Sequence, residues 1–327
     1  MQNVAEVPAL SRAGSLIGRY QQAGLVSAFA LICLAFSILS PYFFQTANAF
    51  NIASANAYLG ITAAITTLLL IGGGLDISVA AVMAFSSVLA AQLLNLGVPW
   101  YLAIIGCLLA GGIIGAFNGL LITYVGINAL IVTIGTQFAV RGLAFVVANG
   151  QELPISDRHF KYLGQGLLFG IPFSGILMIL VFLWVGALLH YTRFGKHIFA
   201  IGGTPNGSMA RLSGINVERR RMQMYIMSGT LAALSGVVLA GYTSSGIAYA
   251  AAGIELTIIA AVILGGTALG GGAGTVAGTF IGVALLGVIA NGMVLLSIAS
   301  YYQFIFQGGA LLIAVVADEV RRKRRPH

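Results

Sequence analysis

Three ionisable residues fall within or at the edges of long apolar runs of this 327-residue chain: Asp76, Arg141 and Glu255. A charge at such depth is costly and is read first as functional. Around them stand hydroxyl and amide side chains, Asn118, Thr133, Thr136, Gln137, Asn291 and Gln303. Such groups suit hydrogen bonding to a polar solute or between helices. The chain has no paired carboxylates, no Ser-His-Asp set and no metal cluster, so hydrolysis and metal chemistry have no foothold. His159, His190, His197 and His327 lie at segment ends without partners at ligand spacing. Cys33 and Cys107 lie in apolar runs, where a thiol acts as a small hydrophobe. What remains is binding and passage, with no cofactor or metal expected.

The local settings refine this. Asp76 follows Gly72, Gly73 and Gly74 and precedes Ile77-Ser78-Val79, so glycines allow a non-helical turn beside it. It is either a cap on the next helix or a member of a solute path. Arg141 follows Thr133, Thr136 and Gln137 within about two turns, a polar stripe that faces protein or water unless the guanidinium snorkels outward. Glu255 opens a helix, where an acid favours the N-terminus, and reads as structural. The run from Gly265 and Gly266 to Gly274 is too glycine-rich for a stable helix and lacks the lysine of a phosphate loop. Gly111, Gly115 and Gly119 recur at helical spacing and predict close helix packing.

The elements that position these residues are membrane helices. Hydrophobic residues make up 59% and charged residues 7%, with mean hydropathy +0.98, far from a soluble domain. The net charge of +8 sits at segment ends rather than on one face, which argues for membrane topology and against nucleic acid. Ala23 to Ser40 is too long for a signal-peptide core and no cleavage site follows, so it is read as an uncleaved first span. Further spans are predicted near 50–71, 77–95, 100–123, 127–148, 170–190, 222–242, 254–268, 275–297 and 301–317. The expected architecture is an all-α polytopic membrane protein of about ten spans. It has a cytoplasmic segment 1–22, one permease domain over 23–317 and a basic cytoplasmic tail 318–327.

Six of the 16 Lys and Arg residues lie in the polar interval 191–221, which places that interval on the cytoplasmic side. An even number of crossings also puts Arg12, Arg19 and the basic run Arg321 to Arg325 inside, and the charge-balanced loop 149–169 outside. Within the interval, Asn206-Gly207-Ser208 offers a helix start, and Met209, Leu212 and Ile215 predict one apolar face of a short docking helix closed by Gly214. Asn118-Gly119 and Asn291-Gly292, five spans apart, have the layout of a 5+5 inverted repeat, although Asn-Gly pairs are also common turn residues.

Several ordered motifs together resemble a known family. They are Gly73-Gly74-Leu75-Asp76-Ile77-Ser78-Val79, close to G-G-I-D-L-S-V-G, the Thr136 to Leu143 segment with Arg141-Gly142, and Thr192-Arg193-Phe194-Gly195 running into Ala200-Ile201-Gly202-Gly203. Next come Arg211-Leu212-Ser213-Gly214-Ile215-Asn216-Val217, Glu255-Leu256, Ala260 to Thr267, and Ser300-Tyr301-Tyr302-Gln303 leading to Asp318. This chain resembles the permease subunits of bacterial ABC sugar importers, the ribose type in particular, along nearly all its length. It departs from them at Ala80, Leu75, Thr257 and Thr204-Pro205.

The resemblance implies a subunit of the bacterial inner membrane that translocates a ribose-like monosaccharide. Its implied partners are cytoplasmic ABC ATPase subunits, an extracytoplasmic sugar-binding protein and a second permease subunit in a homo- or heterodimer. It implies that Met209, Arg211, Leu212, Ser213, Gly214 and Ile215 form the ATPase-coupling helix. Pathway or gating candidates are Asp76, Asn118, Thr133, Gln137, Arg141, Asn291 and Gln303, with Gly72, Gly73, Gly74, Gly265 and Gly266 as hinges. The competing expectations are a stand-alone facilitator or channel and an inactive membrane scaffold.

Overall fold

A computed structural model describes residues 24–204 and 207–299, with isolated positions between 302 and 316. The expected first 22 residues, Pro205 and Asn206, most of the tenth span with Gln303, and the basic tail lie outside the described residues.

The helices are α1 (Gly24–Leu39), α2 (Thr46–Ile71), α3 (Val79–Asn95), α4 (Trp100–Leu120), α5 (Ala129–Ala148), α6 (Arg158–Gln165) and α7 (Phe173–Tyr191). They continue with α8 (Arg193–Gly202), α9 (Ser208–Leu212), α10 (Val217–Thr243), α11 (Ile254–Leu264) and α12 (Val276–Leu295). The last turn of α4 widens into a π-helical turn, Leu121–Val125. Among the described residues, α2, α4 with its π turn, α5, α7, α10 and α12 are long and apolar enough to cross a bilayer, and α1, α3 and α11 are shorter apolar helices. The eighth expected span is shorter than its apolar run: α11 rises only about 16 Å, near half the hydrocarbon thickness. Gly265 and left-handed Gly266 (φ +91°) end it.

Two departures from a purely helical chain are local. The loop after α5 contains α6, capped by the Asp157 carboxylate on the Phe160 N–H at 2.7 Å. Two-residue strands β1 (Leu153–Pro154) and β4 (Ser245–Gly246) pair antiparallel, as do β2 (Leu167–Leu168) and β3 (Ile171–Pro172). At the other end of the bundle, the polar interval 191–221 is not one loop, because α8 occupies its first third. Thr192 caps α8 on Gly195, and Phe194, Ile198 and Phe199 join the main core.

Helices α2 and α10 sit at the centre, in contact with each other and buried along most of their length. The α4–α10 seam shows the packing rule. Ile105, Leu109, Ile113 and Phe117 of α4 point outward, while Gly111 and Gly115 face α10. A Cβ on Gly115 would overlap the carbonyl oxygen of Tyr225, so only glycine lets the backbones approach this closely. Gly115→Ala should lower unfolding stability in detergent by about 1–3 kcal/mol, the usual cost of overpacking. Gly135→Ala, with no atom within 4 Å of the new methyl, should be neutral or slightly stabilising in the same thermal-unfolding measurement.

Candidate functional site

Among the described residues, the sequence candidates separate into a buried polar chain, a cluster on α5 and α11, an asparagine pair and the α8–α9 segment. The buried chain centres on Asp76 in the turn between α2 and α3. Asp76 Oδ1 accepts from the Ser78 N–H at 3.0 Å and the Ser78 hydroxyl at 2.6 Å, and Oδ2 accepts from the Ser228 hydroxyl of α10 at 2.8 Å. The Ser78 hydroxyl in turn accepts from Asn118 Nδ2 of α4 at 3.0 Å, and Asn118 Oδ1 accepts from Thr136 of α5 at 2.6 Å. Every donor in the series points toward the one carboxylate, an arrangement in which each bond polarises the next. All five side chains are buried, Asn118 and Ser228 completely.

The geometry gives Asp76 a structural role that differs from a cap on α3. It does not cap α3, whose first flanking residue is Ser78. It stabilises the turn before α3 and ties that turn to α10. Asn118 spends its amide inside the subunit, and the Thr133 hydroxyl donates to the Ala129 carbonyl of its own helix at 2.8 Å. Asn291 pairs with Asn48 of α2 through two amide bonds of 3.0 and 2.9 Å. These three therefore act first as ties within or between helices. Gln137 and Arg141 stand apart from them. Gln137 Nε2 donates to Glu255 Oε1 at 3.0 Å, and Arg141 Nη1 donates to the carbonyls of Ala248 and Ala250 at 2.9 and 2.6 Å. Glu255 is buried yet its Oε2 has no hydrogen-bond partner among the described residues. It therefore carries an acceptor as well as a structural role.

The α8–α9 segment is organised by backbone. Gly214 (φ +77°) donates to the Arg211 carbonyl and Ile215 to the Ala210 carbonyl, a Schellman closure of α9. The helix is only five residues, so the expected three-residue apolar face is corrected: Met209 and Leu212 project outward at 64% and 86% exposure. Beyond the left-handed glycine, Ile215 turns back to pack with Ile201, Ala210 and Val217. Arg211 pairs with Glu218 and pins α9 to the start of α10.

Glycine lets this segment reach the bundle. Gly272 N–H, from the loop after α11, donates to the Ile71 carbonyl at the end of α2 at 2.8 Å. A Cβ on Gly202 of α8 would overlap that same carbonyl oxygen, and one on Gly271 would lie 3.0 Å from the Cα of Gly73. Three chain segments thus meet backbone to backbone beside the Asp76 turn. Of the expected hinge glycines, Gly73 belongs to this junction, Gly72 lies against the side chains of Met224 and Ile198, Gly74 against those of Leu69 and Tyr225, and Gly265 packs on Gly278 at the α11–α12 contact.

Ser78, Ser228 and Asn48 are site residues that the sequence reading does not single out. A further signal is legible in the chain: Gly74-Leu75-Asp76-Ile77-Ser78 is echoed by Gly253-Ile254-Glu255-Leu256-Thr257.

The comparisons with known proteins agree with a polytopic transport subunit. A family model described as branched-chain amino acid transport system / permease component matches residues 48–316, and the chain belongs to that family. It is 37% identical over 325 residues to the L-arabinose ABC transporter permease protein AraH of Azospirillum brasilense, covering 99% of this chain and 94% of that protein. It is 36% identical over 306 residues to the ribose import permease protein RbsC of Escherichia coli (strain K12), and 39% identical over 303 residues to RbsC of Bacillus subtilis (strain 168). Each of these two matches covers 92% of this chain and 94% of the relative.

Breaking the polar chain should show its structural weight. Asn118→Leu orphans the Thr136 hydroxyl and removes a donor from Ser78, and should lower unfolding stability by about 1–3 kcal/mol. Thr133→Val, which removes only a bond within α5, should cost less than about 1 kcal/mol in the same experiment.

Proposed function

We propose that this chain is the membrane-spanning subunit of an ATP-driven importer that moves a pentose-class monosaccharide into the cell. The substrate class follows from the ribose and arabinose permeases it resembles at 36–39% identity over almost its whole length. ATP is hydrolysed on a separate cytoplasmic ATPase, the sugar is delivered by an extracytoplasmic binding protein, and a second permease subunit completes the pathway. The chain crosses the membrane about ten times with both termini inside, so the α8–α9 end faces the cytoplasm and α6 faces outward.

The observation that carries this reading is the α9 tip. Met209 and Leu212 stand exposed on a helix braced by the Schellman closure, the Arg211–Glu218 pair and the glycine junction. Two exposed apolar side chains on so short a rigid element suit insertion into a partner's groove. Force applied there reaches the ends of α2 and α8 and the α11–α12 loop through backbone contacts that yield little. The Asp76 chain then carries the displacement to α3, α4, α5 and α10, and the subunit switches between outward- and inward-open arrangements.

The pathway is assigned to the face carrying Gln137, Arg141 and Glu255. These polar groups lie beside the exposed Ile134 and Phe138 of α5, and at membrane depth they need protein or water rather than lipid. The Glu255 Oε2, buried and without a hydrogen-bond partner among the described residues, becomes an acceptor for a sugar hydroxyl when the subunit opens. An inverted repeat accounts for the two motif copies at 74–78 and 253–257. It is supported by exchanged neighbours, with α10 packing on α3 and α4 as α2 packs on α11 and α12.

The test separates docking from folding. Met209→Asp combined with Leu212→Asp leaves the Arg211–Glu218 pair and the small core intact, so thermal unfolding should be unchanged. ATP-dependent pentose uptake, and co-purification with the ATPase, should each fall by roughly tenfold or more, because two charges are forced into an apolar contact. Uptake at the parental rate would refute the coupling assignment.

A further inference from the structure

Two cavities adjoin at the α8–α9 end, of about 670 and 250 Å³. Arg221 and Gly73 line both, so they form one cleft divided by the guanidinium. The three consecutive arginines that open α10 have different fates. Arg219 is exposed, and Arg220 is occupied, donating to His197 Nδ1 at 3.2 Å and Gln223 Oε1 at 3.0 Å while resting over the Phe194 ring. Arg221 is half-buried and has no hydrogen bond or ion pair among the described residues, although its fork carries five donors. Glu218 acts on it only electrostatically, without direct contact, so the half-buried fork keeps its donors for an anion in the cleft.

The rest of the lining fits. Among the described residues no Asp or Glu lines either cavity, and the nearby Glu218 is paired with Arg211. Thr123, presented by the π-helical turn that ends α4, lines the larger cavity and Thr204 the smaller, and each has a buried hydroxyl with no hydrogen-bond partner among the described residues. Asn128 uses its carbonyl oxygen to cap α5 on Leu130 N–H at 2.9 Å, which leaves its amide hydrogens for the cleft. Arg211 lines the rim, where it is paired with Glu218. The Arg221 fork and the Asn128 amide, with the Thr123 and Thr204 hydroxyls close behind the cavity surface, complement a tetrahedral anion with several acceptor oxygens.

We propose that this cleft binds a phosphate-bearing anion, from either the headgroup of an acidic phospholipid or a soluble phosphate ester. The walls belong to the turn before α3, to the α4–α5 connection, to the α8–α9 segment and to the start of α10, so the anion clamps the coupling segment against the Asp76 turn and the α4–α5 connection. Met209 and Leu212, exposed on the tip, line neither cavity.

The experiment reads binding and is independent of transport. Purified full-length permease in neutral detergent is titrated with inorganic phosphate, ribose 5-phosphate and unphosphorylated ribose. A parallel arm places it in nanodiscs of phosphatidylcholine with or without phosphatidylglycerol, and the unfolding temperature is followed throughout. A saturable rise with a soluble phosphate identifies the ester source, and a rise confined to phosphatidylglycerol identifies the lipid. Arg221→Gln should weaken the effect roughly tenfold or more, Thr123→Val less, and Arg219→Gln not at all. If Arg221→Gln does not fold, Arg221→Lys and Thr123→Val carry the comparison. The proposal is overturned if no phosphate-bearing probe shifts the transition, if the Arg221 and Thr123 variants respond as the parent does, or if unphosphorylated ribose gives the same shift.

Discussion

The fold depends on one carboxylate. Asp76 is buried in the turn between α2 and α3 and accepts three hydrogen bonds, two from Ser78 and one from Ser228. A buried carboxyl group is tolerable only with such a set of partners, and once formed the set is difficult to rearrange piecemeal. Because the bonds continue through Asn118 to Thr136, the turn, α4, α5 and α10 are held in one register. The chain places its most expensive group where four elements must agree on their positions.

Beside that carboxylate the structure takes the opposite course and removes side chains altogether. Gly73, Gly202, Gly271 and Gly272 allow the end of α2, the end of α8 and the α11–α12 loop to touch through their backbones. A contact without side chains has no rotamers to absorb a displacement, which is the property the proposed coupling asks of it. The same principle joins α4 to α10. A polar tie and a bare backbone junction, side by side, form a stiff connection between an exposed tip and the centre of the bundle.

Much of this was legible in the sequence, and the failures have physical causes. Helices α2, α4, α5, α7, α10 and α12 follow from length and apolarity alone. The apolar run that suggested a span to residue 268 contains Gly265-Gly266, and the helix stops there because glycine leaves it at positive φ. Helix α8 was hidden by Arg193 and Lys196, although Phe194 and Ile198 four residues apart mark its buried side. Ile215 has the right spacing for the α9 face, but the left-handed Gly214 reverses the chain before it. Ser228 could not be told from a hydroxyl satisfied by its own helix, as Thr133 is. The expected close packing at Gly111 and Gly115 was correct, since no other side chain fits that distance.

The account holds that this subunit has no energy source of its own and is driven through its α9 tip. Pentose flux into liposomes tests this most directly, with the permease reconstituted alone and then together with its ATPase and binding protein. Accumulation that requires ATP and both partners, with no flux through the permease alone, is the predicted result. Sugar equilibrating through the isolated permease would contradict it.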